Sequence, residues 1–200
     1  MASSMNLIVE KCFHKATRVT DRFHVQKLAS EAVQEIRIKY RWEALEEENK
    51  GDIVKTFANG DSQKQLLSRS RFLLFKSSSK WSKSQIVRAK LLFTEYPDIE
   101  KAYKLSMELT SIYEHTKIKN IALTKMARWF NKVEESEFES FKTIKRTFHK
   151  HYQYILNYFD RRSTNASAES FNAKIKDFRR AFRGVRDVKF FLFRLTKIFA

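Results

Sequence analysis

The sequence predicts a mainly α-helical fold with at most one or two short strands. Three glycines and one proline in 200 residues leave few positions for the tight turns that a β-sandwich needs. Apolar residues recur at spacings of three and four along most of the chain, which is the period of an amphipathic helix. A hydrophobic content of 42% indicates a packed core rather than a disordered chain.

The first third of the chain is predicted to hold a short helix, a short strand and a long helix. A helix can start after Ser3, and the β-branched run at 16–20 is typical of a buried or edge strand. Asp21 opens a long amphipathic helix that should break near Gly51. Residues 50–64 are expected to form a loop.

Four helices are predicted in the middle of the chain. They span 66–75, 82–96, 99–115 and 118–133. Ser82 and Gln85 have the spacing of a capping box, and Pro97 should stop the helix that they start.

The remaining residues are predicted to form three helices. Ser136 and Glu139 repeat the capping-box spacing and should open the longest helix of the chain. Its apolar positions are Phe141, Ile144, Phe148, Tyr152, Ile155 and Phe159. A second helix is predicted between residues 163 and 184. Capping side chains from Ser163 onward mark its start, and Gly184 marks its end. A final helix starts at Asp187.

The helix between residues 163 and 184 has two different sides. One side is an apolar stripe of Phe171, Ile175, Phe178 and Phe182. A different side carries Glu169, Asn172, Lys176, Arg179 and Arg183. A single carboxylate followed by a dense block of cations raises the question of phosphate chemistry.

The charge of the chain indicates a polyanionic partner. A formal net charge of +17 favours nucleic acid first and an anionic membrane surface second. Affinity for nucleic acid should fall steeply with salt, because counterion release would drive it. The predicted DNA-binding cations are Arg161, Arg162, Lys174, Lys176, Arg179, Arg180 and Arg183. A solvated cationic face is the plainer interpretation of the same side chains.

Several function classes have no support in the sequence. One cysteine, Cys12, excludes a disulfide framework and a cysteine-based zinc finger. No apolar run approaches the roughly 18 residues of a membrane span, and no signal peptide is recognisable. We therefore expect a cytoplasmic protein with no membrane partner.

Three candidate sites each have a structural alternative. Glu169 in a first helical turn is also what the helix dipole favours. Asp21 can cap the long helix while His24, three residues on, merely packs. Trp81 and Trp129 could stack on unpaired bases, but aromatic residues at helical spacing are more often core.

Two tracts resemble the ISL-three family of bacterial insertion-sequence transposases. The tract 157–176 matches the closing motif T/S-N-(x)3-E-(x)2-N-x-x-I-K, with Glu169 at the acidic position. The tract 12–28, which includes Asp21-Arg-Phe-His24-Val25, resembles the D-x-F-H-V segment of the same family. Shorter matches near Ala102 and Trp129 extend the resemblance over essentially the whole chain.

The resemblance implies the C-terminal portion of a ribonuclease-H-like catalytic domain with a large all-helical insertion. Residues 1–48 would be a remnant of the core, 49–160 the insertion, and 161–200 the Glu-bearing core helix with the last helix. Enzymes of this family use Asp, Asp and Glu to hold two Mg²⁺ ions for attack on DNA phosphates. Glu169 would be the final acid, with Asn165 and Asn172 supporting it or contacting DNA.

The resemblance leaves the other two acids of the site in doubt. No strand of this chain could carry the family's first Asp. The second Asp is either Asp21 or a residue that preceded Met1, in which case Asp21 and His24 form a D-x-x-H element instead. On either interpretation at least one metal ligand is missing, so we expect an N-terminally truncated fragment that binds DNA but is inactive alone.

The expected partners follow from the same resemblance. They are the terminal repeats of a mobile element, its target DNA, and a second copy or full-length transposase, in the nucleoid of a bacterial cell. Two other functions stay open: a non-catalytic DNA-binding regulator that competes with full-length transposase, and a basic helical structural protein.

Overall fold

The computed structural model describes residues 3–50, 55–163 and 166–199, and these residues form helices and connecting segments without a strand. An isolated bridge between Thr56 and Ser62 is the β pairing found among them. The chain divides into two units, Met1–Arg162 and Ser163–Ala200, which we call unit 1 and unit 2. The predicted mainly α fold is therefore confirmed.

Unit 1 holds eight α-helices among its described residues. They are α1 Ser3–Cys12, α2 Arg22–Asn49, α3 Gln63–Arg69, α4 Lys83–Glu95, α5 Pro97–His115, α6 Lys119–Ser136, α7 Glu139–Leu156 and α8 Tyr158–Arg161. Two 3-10 turns, Leu73–Phe75 and Ser78–Lys80, connect α3 to α4. The described residues of unit 2 form two helices, α9 Ala166–Ala181 and α10 Val188–Phe199. None of the helices in the described ranges is both long and apolar enough to cross a membrane.

Side-chain caps start α2 and α4 where the sequence predicts them. The Asp21 carboxylate accepts a hydrogen bond from the Phe23 amide at 2.8 Å and begins α2. At α4, Ser82 and Gln85 make both bonds of a capping box, which confirms that prediction. Pro97 then occupies the first turn of α5, where its missing N–H costs no helical hydrogen bond.

The core of unit 1 forms where α5 packs against α2, α4 and α6, and where α7 packs against α2 and α6. Trp129 is fully buried, and its indole N–H donates to the Leu105 carbonyl oxygen at 2.8 Å. The rings of Phe130, Phe141 and Phe148 surround it at centroid distances of 5.3, 6.5 and 6.0 Å. The interpretation of Trp129 as a core residue is confirmed.

A buried carboxylate holds the start of α3 to α4. Asp61 is 1% exposed and lies in an ion pair with Arg69 and in a second one, of 3.1 Å, with Arg88. The side-chain amide of Asn59 donates to the same carboxylate at 2.9 Å. Burial by itself raises the pKa of Asp61, but the hydrogen bonds and charges of Arg88 and Arg69 outweigh it and hold the pKa below its ordinary value.

The predicted strand at 16–20 is wrong, since these residues have no regular secondary structure. A β-branched run forms a ladder only where a neighbouring strand supplies matching groups. Here the Thr20 amide donates at 2.8 Å to the carbonyl oxygen of Tyr154, in the last turn of α7. That carbonyl group lies in the last turn of α7, where no N–H of the same helix can bond to it. The segment therefore supplies a hydrogen bond to the end of a helix and not to a sheet.

The second predicted capping box, at Ser136 and Glu139, is also wrong. Ser136 is the last residue of α6, and its hydroxyl donates to the Val133 carbonyl oxygen at 2.7 Å. Phe138 precedes α7 and makes no side-chain cap. The longest described helix is α2, with 28 residues, and not α7, with 18.

Two predicted helices are interrupted. The span 66–75 divides into α3 and the 3-10 turn after it. Within α7, His151 has φ −129° and ψ 16°, which is not helical. Tyr152, directly after this kink, is 51% exposed although its spacing predicts a buried position, whereas Ile155 and Phe159 further on are buried as predicted. Phe141, Ile144 and Phe148 before the kink are buried as predicted.

Candidate nucleic-acid interface

The helix α9 carries the acidic residue and most of the cations that the sequence singled out. It ends where predicted, because Gly184 adopts φ +117° and its amide donates to the Arg179 carbonyl oxygen at 3.2 Å. Residues 164 and 165 lie outside the described residues, so the cap at the start of α9 and the role of Asn165 stay predictions.

The apolar stripe of α9 packs against α10 within unit 2. The ring of Phe178 lies 5.4 Å from that of Phe191 and 6.3 Å from that of Phe199. Phe171 also contacts Phe199, at 6.0 Å. Because the start of α9 meets the end of α10, the two helices run antiparallel. Helix α10 thus covers part of the apolar side of α9: Phe178 is half-buried, whereas Phe171 and Phe182 are 42% and 48% exposed. The polar side is left to solvent.

The polar side of α9 is a row of exposed side chains. Its members are Glu169, Asn172, Lys176, Arg179 and Arg180. Arg180 pairs with Asp177 at 3.4 Å, a surface ion pair. We call these five residues the cationic face of α9.

Two other predicted DNA-binding cations of unit 2 do not share this face. Lys174 lies two residues from Lys176, which places the two side chains about 200° apart around the helix. Arg183 follows the end of α9 and has φ +51°. Both side chains are exposed. The cations of this segment therefore spread over two sides of the hairpin.

Arg162 has a structural position that its sequence context did not reveal. Its backbone is left-handed, with φ +52°, and its guanidinium donates to the Tyr113 carbonyl oxygen at 2.8 Å. A longer bond of 3.4 Å reaches the Glu114 carbonyl oxygen. Arg162 thus caps the C-terminus of α5. Arg161 beside it is exposed and stays a predicted DNA contact.

The Asp21–His24 pair forms the first turn of α2. The Asp21 carboxylate caps that helix, which confirms the capping alternative for this residue. The His24 side chain is exposed, and its ring meets the Phe23 ring edge-on at 6.2 Å rather than packing into the core. The role of the pair as a D-x-x-H element stays a prediction.

The described carboxylates form no metal-binding group within either unit. Across residues 3–50, 55–163 and 166–199, no group of three or more His, Cys, Asp or Glu side chains comes together. Glu169 is exposed in the first turn of α9, and Asp21, in the other unit, caps a helix. Mg²⁺ needs several clustered oxygen ligands, and neither Glu169 nor Asp21 belongs to such a cluster of described side chains within its own unit.

The three tryptophans differ in exposure. Trp129 is core, and Trp81 is half-buried against Phe93 and Tyr103 with its indole N–H on the Leu73 carbonyl oxygen. Neither ring is available for stacking on a base. Trp42, which the sequence reasoning passed over, is 54% exposed. The signal was present, because Trp42 falls about 120° from the centre of the apolar stripe of α2.

A comparison with protein families identifies the family of the chain. A family model described as Transposase, that of the DDE transposases of the ISL-three group, matches residues 1–195. No curated protein and no solved structure matches the chain. The matched range covers unit 1 and most of unit 2.

Proposed function

The chain belongs to the ISL-three family of transposases, and from this premise we propose that it acts in DNA transposition by binding duplex DNA through the cationic face of α9. The observation that carries the proposal is that the two sides of this helix differ in their contacts. Phe178 of its apolar stripe packs against Phe191 of α10, while Lys176 and Arg179 are exposed and make no ion pair with a described carboxylate. Exposed cations in a row suit successive backbone phosphates.

The proposal includes the domain plan of the family. Residues 1–48 and 161–200 would contribute to a ribonuclease-H-like core, and residues 49–160 would be the helical insertion. The support is the resemblance of the two motif tracts and the helical character of the described part of the insertion. A second copy of the chain, or full-length transposase, stays a predicted partner.

Loss of cations from α9 tests the DNA-binding proposal. We expect the double substitution Lys176→Gln/Arg179→Gln to weaken duplex binding at least tenfold. It should also lower the slope of log affinity against log salt by about 2, at about 0.9 for each lost phosphate contact. Fluorescence anisotropy with a labelled duplex, titrated at several salt concentrations, measures both quantities.

The control variant removes two positive charges as well, but from a different part of the chain. Lys90 and Arg128 are exposed in unit 1 and make no ion pair with a described carboxylate, so Lys90→Gln/Arg128→Gln has the matched net charge. This control should keep the salt slope of the wild type. Equal losses in the two double variants would show that only overall charge matters, and would overturn the assignment to α9.

Glu169 matches the final acid of the family, and we propose that the chain does not cleave DNA by itself. The support is that the resemblance assigns the family's first Asp to a strand, and the described residues contain no strand. Purified protein incubated with supercoiled plasmid and Mg²⁺ or Mn²⁺ should give no nicking above a protein-free control. Nicking that disappears in Glu169→Gln would contradict this prediction.

A further inference from the structure

A second surface with the chemistry of a nucleic-acid site lies in unit 1, outside the motif tracts 12–28 and 157–176. It forms where α2 meets α3 and the 3-10 turn after it. Its members are Arg37, Arg41, Trp42, Arg71, Phe72 and Phe75. We call it the arginine–aromatic surface.

Hydrogen bonds to the backbone fix the geometry of this surface. The buried Arg37 guanidinium donates to the Leu67 carbonyl oxygen at 2.9 Å and to the Gln34 side-chain oxygen at 2.7 Å. The Gln34 amide in turn donates to the Arg71 carbonyl oxygen at 3.2 Å. Because these bonds join α2 to the segment after α3, the surface is organised before any ligand binds.

The arginines of the surface are not paired with described carboxylates. None of the described carboxylates forms an ion pair with Arg37, Arg41 or Arg71. Glu31, which also lines the groove, lies 3.7 Å from Lys27. Burial, together with the charges of Arg71 and Arg41, lowers the pKa of Arg37 from its ordinary value. Three uncompensated cations in one groove favour an anionic ligand.

The aromatic rings of the surface indicate which class of anionic ligand it would bind. Trp42 is 54% exposed, Phe72 66% and Phe75 44%. The Arg41 guanidinium lies 5.7 Å from the Trp42 ring centroid, and that of Arg71 lies 5.4 Å from the Phe72 centroid. Exposed rings beside arginines can stack on bases while the guanidiniums bind phosphates. A duplex hides its base faces, so these rings suit unpaired nucleotides.

We propose that the arginine–aromatic surface binds unpaired nucleotides of a DNA strand. This goes beyond duplex binding by the cationic face of α9, and it rests on different residues in a different unit. An ordinary solvated basic face would gain nothing from its rings, because phosphate attraction alone does not need them. The contribution of the Trp42 ring therefore separates the two interpretations.

The test compares one strand with a duplex, using the full chain. Fluorescence anisotropy measures binding of labelled oligodeoxythymidine and of a labelled duplex of equal length. Trp42→Ala should weaken oligodeoxythymidine binding roughly tenfold, the loss expected for one stacked base, and leave duplex binding within about twofold. Trp42→Phe, which keeps a ring, should recover most of the affinity for the single strand.

Controls make the outcome decisive. Phe23→Ala removes another exposed ring of α2, 61% exposed, and should leave both affinities unchanged. Lys176→Gln/Arg179→Gln should lose duplex binding and keep binding of oligodeoxythymidine, so failure of either proposal is recognised separately. The proposal is overturned if wild-type protein does not bind oligodeoxythymidine. It is also overturned if Trp42→Ala has no effect on it, or if Trp42→Ala weakens both ligands alike.

Discussion

Replacing Trp129 with alanine is expected to destabilise unit 1 by roughly 3–5 kcal/mol, the cost of deleting a fully buried large aromatic side chain. The indole is surrounded by the rings of Phe130, Phe141 and Phe148, and its N–H satisfies the Leu105 carbonyl oxygen. The substitution would leave both a cavity between α5, α6 and α7 and an unpaired carbonyl group. Urea denaturation followed by far-ultraviolet circular dichroism measures the loss.

Two further variants separate the causes of that loss. Trp129→Phe keeps most of the buried ring but removes the hydrogen bond to Leu105, so we expect a smaller loss of roughly 1–2 kcal/mol. Trp42→Ala, which removes an exposed indole, should change the free energy of unfolding by less than about 0.5 kcal/mol. Similar losses in Trp129→Ala and Trp42→Ala would refute the assignment of Trp129 to the core.

The second large effect is expected at Asp61. Asp61→Asn removes the negative charge that faces Arg69 and Arg88 without changing the side-chain volume. Asp61 is buried, but Arg69 is 55% exposed and Arg88 23% exposed, so water can solvate the two cations that lose their partner. We therefore expect a loss of about 2 kcal/mol, the scale of hydrogen bonds to a charged group. The loss should appear at neutral pH in the free energy of unfolding. Glu108→Gln, which breaks the exposed 2.7 Å pair with Lys132, is the matched control and should cost under about 1 kcal/mol.

The Asp61 effect should also depend on pH in a defined direction. In the unfolded chain this carboxyl has an ordinary pKa of about 3.9, whereas the folded protein holds its pKa lower. The stabilisation is therefore complete above about pH 4 and disappears as the pH falls through the folded pKa. The difference between wild type and Asp61→Asn should shrink in acid. A difference that stays constant down to about pH 2 would contradict the ion-pair account.

The sequence predicted the helices of this protein better than their ends. Ser82 and Ser136 stand in the same four-residue pattern, yet only Ser82 makes a capping box. A hydroxyl near the end of one helix can turn back to a carbonyl of its own last turn, as Ser136 does with Val133. Spacing along the chain does not distinguish the two geometries. The distinction depends on where the preceding helix ends.

The residues of the candidate sites were predictable to different degrees. Phe171 and Phe178 follow a simple helical period, so the side of α9 that contacts α10 was readable from their spacing. Arg162 was not, because its guanidinium binds a carbonyl group 49 residues earlier in the chain. The exposure of Trp42 was predictable from its position on α2, but aromatic residues in a helical protein are commonly assigned to the core.

The hydrogen bonds of Arg162 also indicate where the chain should be divided for separate expression of the two units. Its guanidinium ties the last residue of unit 1 to carbonyl groups of Tyr113 and Glu114, in the middle of that unit. A shortened chain that stops at Arg161 would lose this donor and leave the end of α5 without its cap. One that stops at Ser163 would keep it. For crystallisation or nuclear magnetic resonance of unit 1, a two-residue difference in length therefore decides whether the end of α5 stays capped.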